Sequence, residues 1–231
     1  MPEFIEGNRL TLLRNGEQYF PALVAAIDTA KAEVFMETYI YADDETGSQV
    51  TDALARAAGR GVATHLLIDG FGAKGFAPRF CEMLAASNAE LLVYRPAVSP
   101  WPFWKQRSRL RRMHRKLCVV DGETAFCGGI NLLDDHYDPN HGELDQPRFD
   151  FSVQVSGPLV ADVHDTMARL WARLQVARER DFIDAGRSLG FSDTRIMFLH
   201  VLPNIFPEIL VMGSLWLAAA IRTEASLAFV G

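Results

Sequence analysis

An α/β layered fold is what this sequence predicts, and three observations carry the prediction. Segments with the 3.6-residue apolar spacing of helices alternate with short runs rich in β-branched and aromatic residues. Helix-like and strand-like segments follow one another closely, as units stacked on a sheet require. Of 231 residues, 49% are hydrophobic and 23% charged, enough for one sizeable domain, or one domain plus an appendage.

The first helix is expected over residues 16–33, where Phe20, Leu23, Val24 and Ile27 recur at helical spacing. A strand over 34–40 follows, rich in Val, Phe, Thr, Tyr and Ile. Gly47 and Ser48 precede a second helix carrying Val50, Leu54, Ala57 and Ala58, and Gly61 ends it. A strand over 62–68, a turn-rich loop DGFGAKG, a helix over 77–87 and a strand over 90–94 complete the third unit. The loop lacks the spacing of a nucleotide-binding P-loop.

Residues 96–113 break the rhythm with three prolines, Trp101, Phe103, Trp104 and a basic cluster. Long loops of this kind in compact domains usually have a function. Strands over 116–120 and 124–127 then flank a turn at Asp121-Gly122, and polar residues 133–148 read as loop. A strand over 149–155 leads to Gly157-Pro158, which opens a helix carrying Val160, Val163, Met167, Leu170, Trp171 and Leu174. Near Gln175 the character changes. A helical stretch is interrupted by Pro203 and Pro207, and residues 205–221 are nearly all apolar, with Glu208 the single charge. A membrane span needs about 20 residues, so a buried core helix and a span both stay open for this run.

A net charge of −6 excludes a chain that is basic all over, as a nonspecific nucleic-acid binder would be. The charge is uneven, however: Lys105, Arg107, Arg109, Arg111, Arg112, Arg115 and Lys116 crowd one stretch. Beside WPFW, that stretch suits an anionic bilayer surface, with aromatics at the interface and cations drawn to headgroups. A solvated face with packed tryptophans is the alternative. Nucleic acid is disfavoured, because aromatic and basic residues are not interleaved as base-stacking platforms. Three cysteines, Cys81, Cys118 and Cys127, are too few for a disulfide framework and suit a reducing compartment. The start MPEFIEGNRL has neither a basic n-region nor an apolar h-region, so no secretory signal is read there.

The chemistry concentrates in MHRKLCVVDGETAFCGGIN. On a strand, His114 and Lys116 point to one face. A neutral imidazole can attack phosphorus and split phosphodiester displacement into two easier steps. An ammonium and an amide, Lys116 and Asn131, can hold the non-bridging oxygens as charge builds there. Gly128-Gly129 lets backbone and substrate approach closely. Asp134, Asp135, His136 and His141 lack a metal-ligand spacing, and neither a metal nor another cofactor is expected.

The run HRKLCVVDGETAFCGGIN resembles the motif of the phospholipase D superfamily, His-x-Lys-(x)4-Asp followed by Gly-Gly-x-Asn. GNRLTLLRNGEQYFPALVAAI and METYIYADDETG bring the resemblance closer to bacterial cardiolipin synthases of that type, over about residues 4–175. It implies a half-domain with a mixed sheet flanked by helices, spanning 1–175. It also implies phosphatidyl transfer between lipid headgroups through a phosphohistidine. The catalytic set becomes His114, Lys116, Asp121, Asn131 and Asp150. His114 is nucleophile or general acid, Lys116 and Asn131 bind phosphate, and Asp121 supports the structure. Asp150, in PRFDFSV, matches the position that orients the histidine. Glu37, Gly128, Gly129, Arg112 and Arg115 form the substrate-binding set, with a buried carboxylate paired to the basic loop the alternative for Glu37. The implied partners are anionic phospholipid, a membrane surface and a second copy of the chain. The implied location is the cytoplasmic side of a bacterial inner membrane, peripheral or with a C-terminal anchor.

Cardiolipin synthases of this type carry two motifs, one per half of a pseudo-symmetric fold, and this sequence contains one His-x-Lys. Residues 176–231 instead resemble a helical piece of a dipeptide or oligopeptide ABC transporter permease, on FIDAGRSLGFSDTRIMFLHVLPNIFPEILV and IRTEASLAFVG. The expectation is a fusion with its junction near Gln175.

Overall fold

A computed structural model describes residues 5–95, 112–139 and 141–188, with side chains described as far as Val176. The tryptophan-rich part of the basic loop and the apolar run over 205–221 lie outside the described residues. The chain divides into two compact units, Met1–Leu174 and Gln175–Gly231. The first contains the whole sheet.

Its elements in chain order are β1 (Arg9–Arg14), α1 (Asn15–Thr29), β2 (Glu33–Thr38), α2 (Glu45–Gly59), β3 (Ala63–Asp69), α3 (Pro78–Ala86), β4 (Glu90–Tyr94), β5 (Leu117–Val120), β6 (Thr124–Gly128), β7 (Tyr137–Asp138), β8 (Gly142–Glu143), β9 (Phe151–Ser156) and α4 (Leu159–Ser188). Seven strands form one sheet in the order β1-β9-β6-β5-β2-β3-β4, and β7 pairs with β8. β2, β3 and β4 run parallel, joined by helical crossovers, while β5, β6, β9 and β1 add antiparallel neighbours. The expected mixed sheet flanked by helices is therefore present.

Both faces of the sheet are covered, which explains the near-continuous apolar runs of its central strands. On one face Val34, Met36, Leu66, Ile68 and Cys118 meet Leu23 and Ile27 of α1, Val50 and Leu54 of α2, and Phe80 and Leu84 of α3. On the other, Phe35, Leu67, Val119, Ala125 and Val155 pack against Val160, Met167 and Trp171 of α4. Among the described residues, no helix is long and apolar enough to cross a membrane.

Three local features differ from the sequence expectation. The segment 9–14, expected in no element, is an edge strand pairing antiparallel with β9, from Arg9 opposite Ser156 to Arg14 opposite Phe151. The helix expected to reach residue 33 stops at Thr29: the Ala30 N–H donates to the Ile27 carbonyl, and Asp121 accepts those of Lys31, Ala32 and Glu33. The loop 133–148 contains the short β7–β8 hairpin.

Candidate active site

His114 and Lys116 lie on the extended segment that runs into β5, beside the carboxyl-terminal ends of β2 and β3. His114 is exposed, and Lys116 is buried against the sheet. The two-residue spacing brings them together. Lys116 Nζ lies 3.1 Å from His114 Nδ1 and 3.2 Å from Nε2. It also donates to the His114 carbonyl at 3.4 Å. Burial lowers the Lys116 pKa, and the negative charge of Asp150 works against that shift. Tyr39 closes the site from β2's end: its ring centroid is 4.8 Å from that of His114, and Lys116 Nζ lies 5.5 Å from it.

Asn131 is held on the β2 side of the sheet, beside the backbone that follows Tyr39. Its Oδ1 accepts the N–H of Ile40 at 3.1 Å, which fixes the side chain and leaves its NH2 as a donor. Asp150 stands at the start of β9. Its Oδ1 accepts the Phe151 N–H at 2.7 Å, and its backbone is bracketed by Asn15, whose N–H donates to the Asp150 carbonyl at 2.9 Å. No hydrogen bond or ion pair joins Asp150 to His114 here, and its charge is felt by Lys116.

The two glycines make room. A Cβ on Gly129 would lie 2.2 Å from Asp150 Oδ1, and one on Gly128 would lie 2.5 Å from the Phe151 carbonyl oxygen. Their N–H groups are already used: Gly128 donates to the Lys116 carbonyl at 3.3 Å and Gly129 to the Phe151 carbonyl at 2.9 Å. They therefore shape the site, and their N–H groups are engaged within the sheet.

Asp121 is not at the site. It turns the chain at the opposite end of β5, with φ of 53°, about 16 Å of strand from Lys116. Burial works to raise its pKa, but the N–H groups of Glu33, Ala32 and Lys31 and the Lys31 charge hold it below the usual carboxylate range. Its contacts here are with the connection from α1 to β2, away from His114 and Lys116.

Glu37 is buried on the sheet face below the His114 segment, and its carboxylate meets Arg115 at 3.3 Å. Burial pushes its pKa up to about 7, against the pull of Arg115. Arg112 points inward as well. Its guanidinium lies 3.8 Å from Asp69 and 5.0 Å from the Phe71 ring centroid, and donates to the Arg95 carbonyl at 3.4 Å. Sequence reasoning missed Tyr39 and Asp69; the aspartate opening DGFGAKG was the available signal. Among the described residues, no group of three or more His, Cys, Asp or Glu side chains is placed to hold a metal ion.

Comparison with known proteins places this geometry in context. The family described as cardiolipin synthase, PLD-like domain, matches residues 23–144. Cardiolipin synthase B of Escherichia coli is 39% identical over 158 residues, covering 68% of this chain and 37% of that protein. Cardiolipin synthase 1 of Bacillus anthracis is 37% identical over 125 residues, covering 54% of this chain and 24% of that protein. The chain thus spans little more than a third of the length of the first of these relatives. Phosphatidylserine synthase of Haemophilus influenzae shares the fold at a TM-score of 0.52 and 17% identity, over 69% of this chain and 35% of that one. Nuc of Salmonella typhimurium, a phospholipase D family member, shares it at 0.50 and 18% identity, over 73% of this chain and 95% of that one. None of these proteins is a permease.

Proposed function

The chain belongs to the cardiolipin synthase, PLD-like domain family, and from that premise we propose that it transfers phosphatidyl groups through a phosphohistidine on His114. The observation that supports this most is the buried Lys116 ammonium within 3.2 Å of both ring nitrogens of the exposed His114. A phosphate seated there meets the His114 imidazole and the Lys116 ammonium together, and the NH2 of Asn131 is the further donor this reading assigns to it.

In the first step a His114 ring nitrogen bonds to phosphorus while the bond to the departing headgroup oxygen breaks. The leaving oxygen takes a proton from a general acid. In the second step an alcohol attacks phosphorus, gives its proton to the same group, and the phosphorus–nitrogen bond breaks. Lys116 and Asn131 stabilise the charge on the non-bridging oxygens in both steps. Asp150 turns its carboxylate to the His114 ring when substrate draws the Lys116 ammonium to phosphate; catalytic hydrogen bonds often tighten only in the complex.

The general acid is a second histidine of the same kind. With one His-x-Lys among 231 residues, it comes from outside this sequence, and a second copy of the chain related by a twofold axis is the simplest source. The donor is an anionic phospholipid presented at a membrane surface on the cytoplasmic side. The test is transfer from phosphatidylglycerol vesicles by wild type and His114→Ala, with the mass of the active species measured by light scattering. Activity that survives His114→Ala refutes the phosphohistidine, and an active monomer refutes the shared site.

For residues 176–231, the resemblance to a permease proposes a docking segment for an ABC ATPase over 184–203. Failure of such an ATPase to co-purify with the full chain removes that reading.

A further inference from the structure

The loop DGFGAKG has no place in the chemistry above, yet it meets two neighbours of His114: Met113, which precedes it in the chain, and Tyr39, whose ring lies against it. Asp69, the last residue of β3, is fully buried, and its carboxylate is shared between the loop and the catalytic segment. Oδ1 accepts the N–H groups of Phe71 at 2.8 Å and Gly72 at 3.0 Å. Oδ2 accepts the N–H of Met113, the residue before His114, at 2.9 Å. Arg112, one residue earlier, is held by the same carboxylate and by the Phe71 ring. The loop also supports Tyr39. A Cβ on Gly72 would lie 2.3 Å from the Tyr39 carbonyl oxygen and 2.7 Å from its ring. That ring is the one against His114.

We propose that Asp69 and Gly72 position His114, Asp69 by clamping the backbone at Met113 and Gly72 by seating Tyr39 against the imidazole. A buried carboxylate with donors on two segments ties them more tightly than packing alone. Neither residue touches substrate. The inference rests on His114 being the nucleophile, and its role is to hold the ring where Lys116 and the phosphate meet it.

Two variants break the clamp separately. Asp69→Asn keeps shape but has one acceptor oxygen, so either Met113 or the Phe71-Gly72 turn faces an NH2. Gly72→Ala leaves Asp69 intact and displaces Tyr39. Both are measured as full-length protein beside wild type. Asp121→Ala serves as a reference for general destabilisation, because it acts at the other end of β5.

The first readout is the NMR titration of the His114 ring, assigned with His114→Ala, which does not depend on activity. The second is phosphatidyl transfer from phosphatidylglycerol vesicles, with kcat and KM separated. Displacing a reacting group by about 1 Å costs on the order of 100-fold in rate. The expected result is a shifted His114 titration in both variants and kcat lowered on that scale, with KM changed less than about 3-fold. A normal His114 titration in both folded variants overturns the clamp, whatever the activity. If wild type itself transfers nothing while the variants still shift the ring, the clamp stands and the transfer reading fails. If Asp69→Asn does not fold, Gly72→Ala alone decides, and an unshifted ring there refutes the proposal.

Discussion

Replacing Asp121 separates its structural role from a catalytic one. Its carboxylate accepts the N–H of Ala32 at 2.7 Å, of Lys31 at 2.9 Å and of Glu33 at 3.0 Å. Two of these contacts are exposed, so water partly replaces the carboxylate when it is removed. Counting about 1 kcal/mol for Glu33 and about 0.5 kcal/mol for each of the others yields about 2 kcal/mol. Asp121 also sits at φ of 53°, where alanine adds about 1 kcal/mol of strain while asparagine is tolerated. Asp121→Ala should therefore lose about 3 kcal/mol. Asp121→Asn keeps the Oδ1 contacts and should lose about 1 kcal/mol. For a chain of this size the alanine loss corresponds to about 6–12 °C in Tm. Urea unfolding at several pH values measures it. Because the folded Asp121 pKa lies below its unfolded value, the stabilisation is present above the ordinary carboxylate pKa. It fades as pH falls through the lowered one. The gap between wild type and Asp121→Asn should accordingly close in acid. Phosphatidyl transfer per folded molecule should stay within a few-fold of wild type. A variant as stable as wild type that loses transfer by more than about 100-fold would place Asp121 in the chemistry and refute this reasoning.

Glu37→Gln should flatten the pH dependence of stability. The wild-type carboxyl titrates near 7 when folded against 4.5 ordinarily, so wild type loses stability as pH rises through that interval, and the variant does not. Calorimetry across the interval checks this, and equal slopes would contradict it. Gly129→Ala should destabilise by about 2 kcal/mol through overpacking, since the new Cβ meets Asp150 Oδ1. It should also lower transfer more than Asp121→Asn does, as read by vesicle assay at a temperature where both are folded. Trp171→Ala should cost about 3 kcal/mol, because the ring is buried against Phe35 and His65 and anchors α4 to the sheet. Denaturant unfolding of the full chain measures that loss, and a change below about 1 kcal/mol would mean that α4 is held elsewhere.

What could be read in the sequence and what could not divide by the range of the contacts involved. α1 and α2 declare themselves because each buries a periodic face, as Leu23 and Ile27 show, and β2 and β3 because burial on both faces leaves short, near-continuous apolar runs. β1 declares nothing: in RLTLLR only Leu13 is buried, Leu10 and Leu12 are exposed, and its partner is β9, far along the chain. The site divides the same way. His114 and Lys116 are two residues apart, just before β5, and that short separation lets Lys116 Nζ reach the imidazole. Asp69 meets Met113 across 44 residues, and Asn131 meets Ile40 across 91. Such pairings arise only when parallel and antiparallel strands settle side by side, and no local spacing encodes them. Gly129 lies between the two cases. Its place in the motif is visible, but its reason, a neighbouring carboxylate at Asp150, is a contact of the folded sheet. The reactive groups of this site are therefore local in sequence, while the groups that hold them are not. Substitutions chosen from the motif alone would test the first set and leave Asp69 and Gly72 untouched.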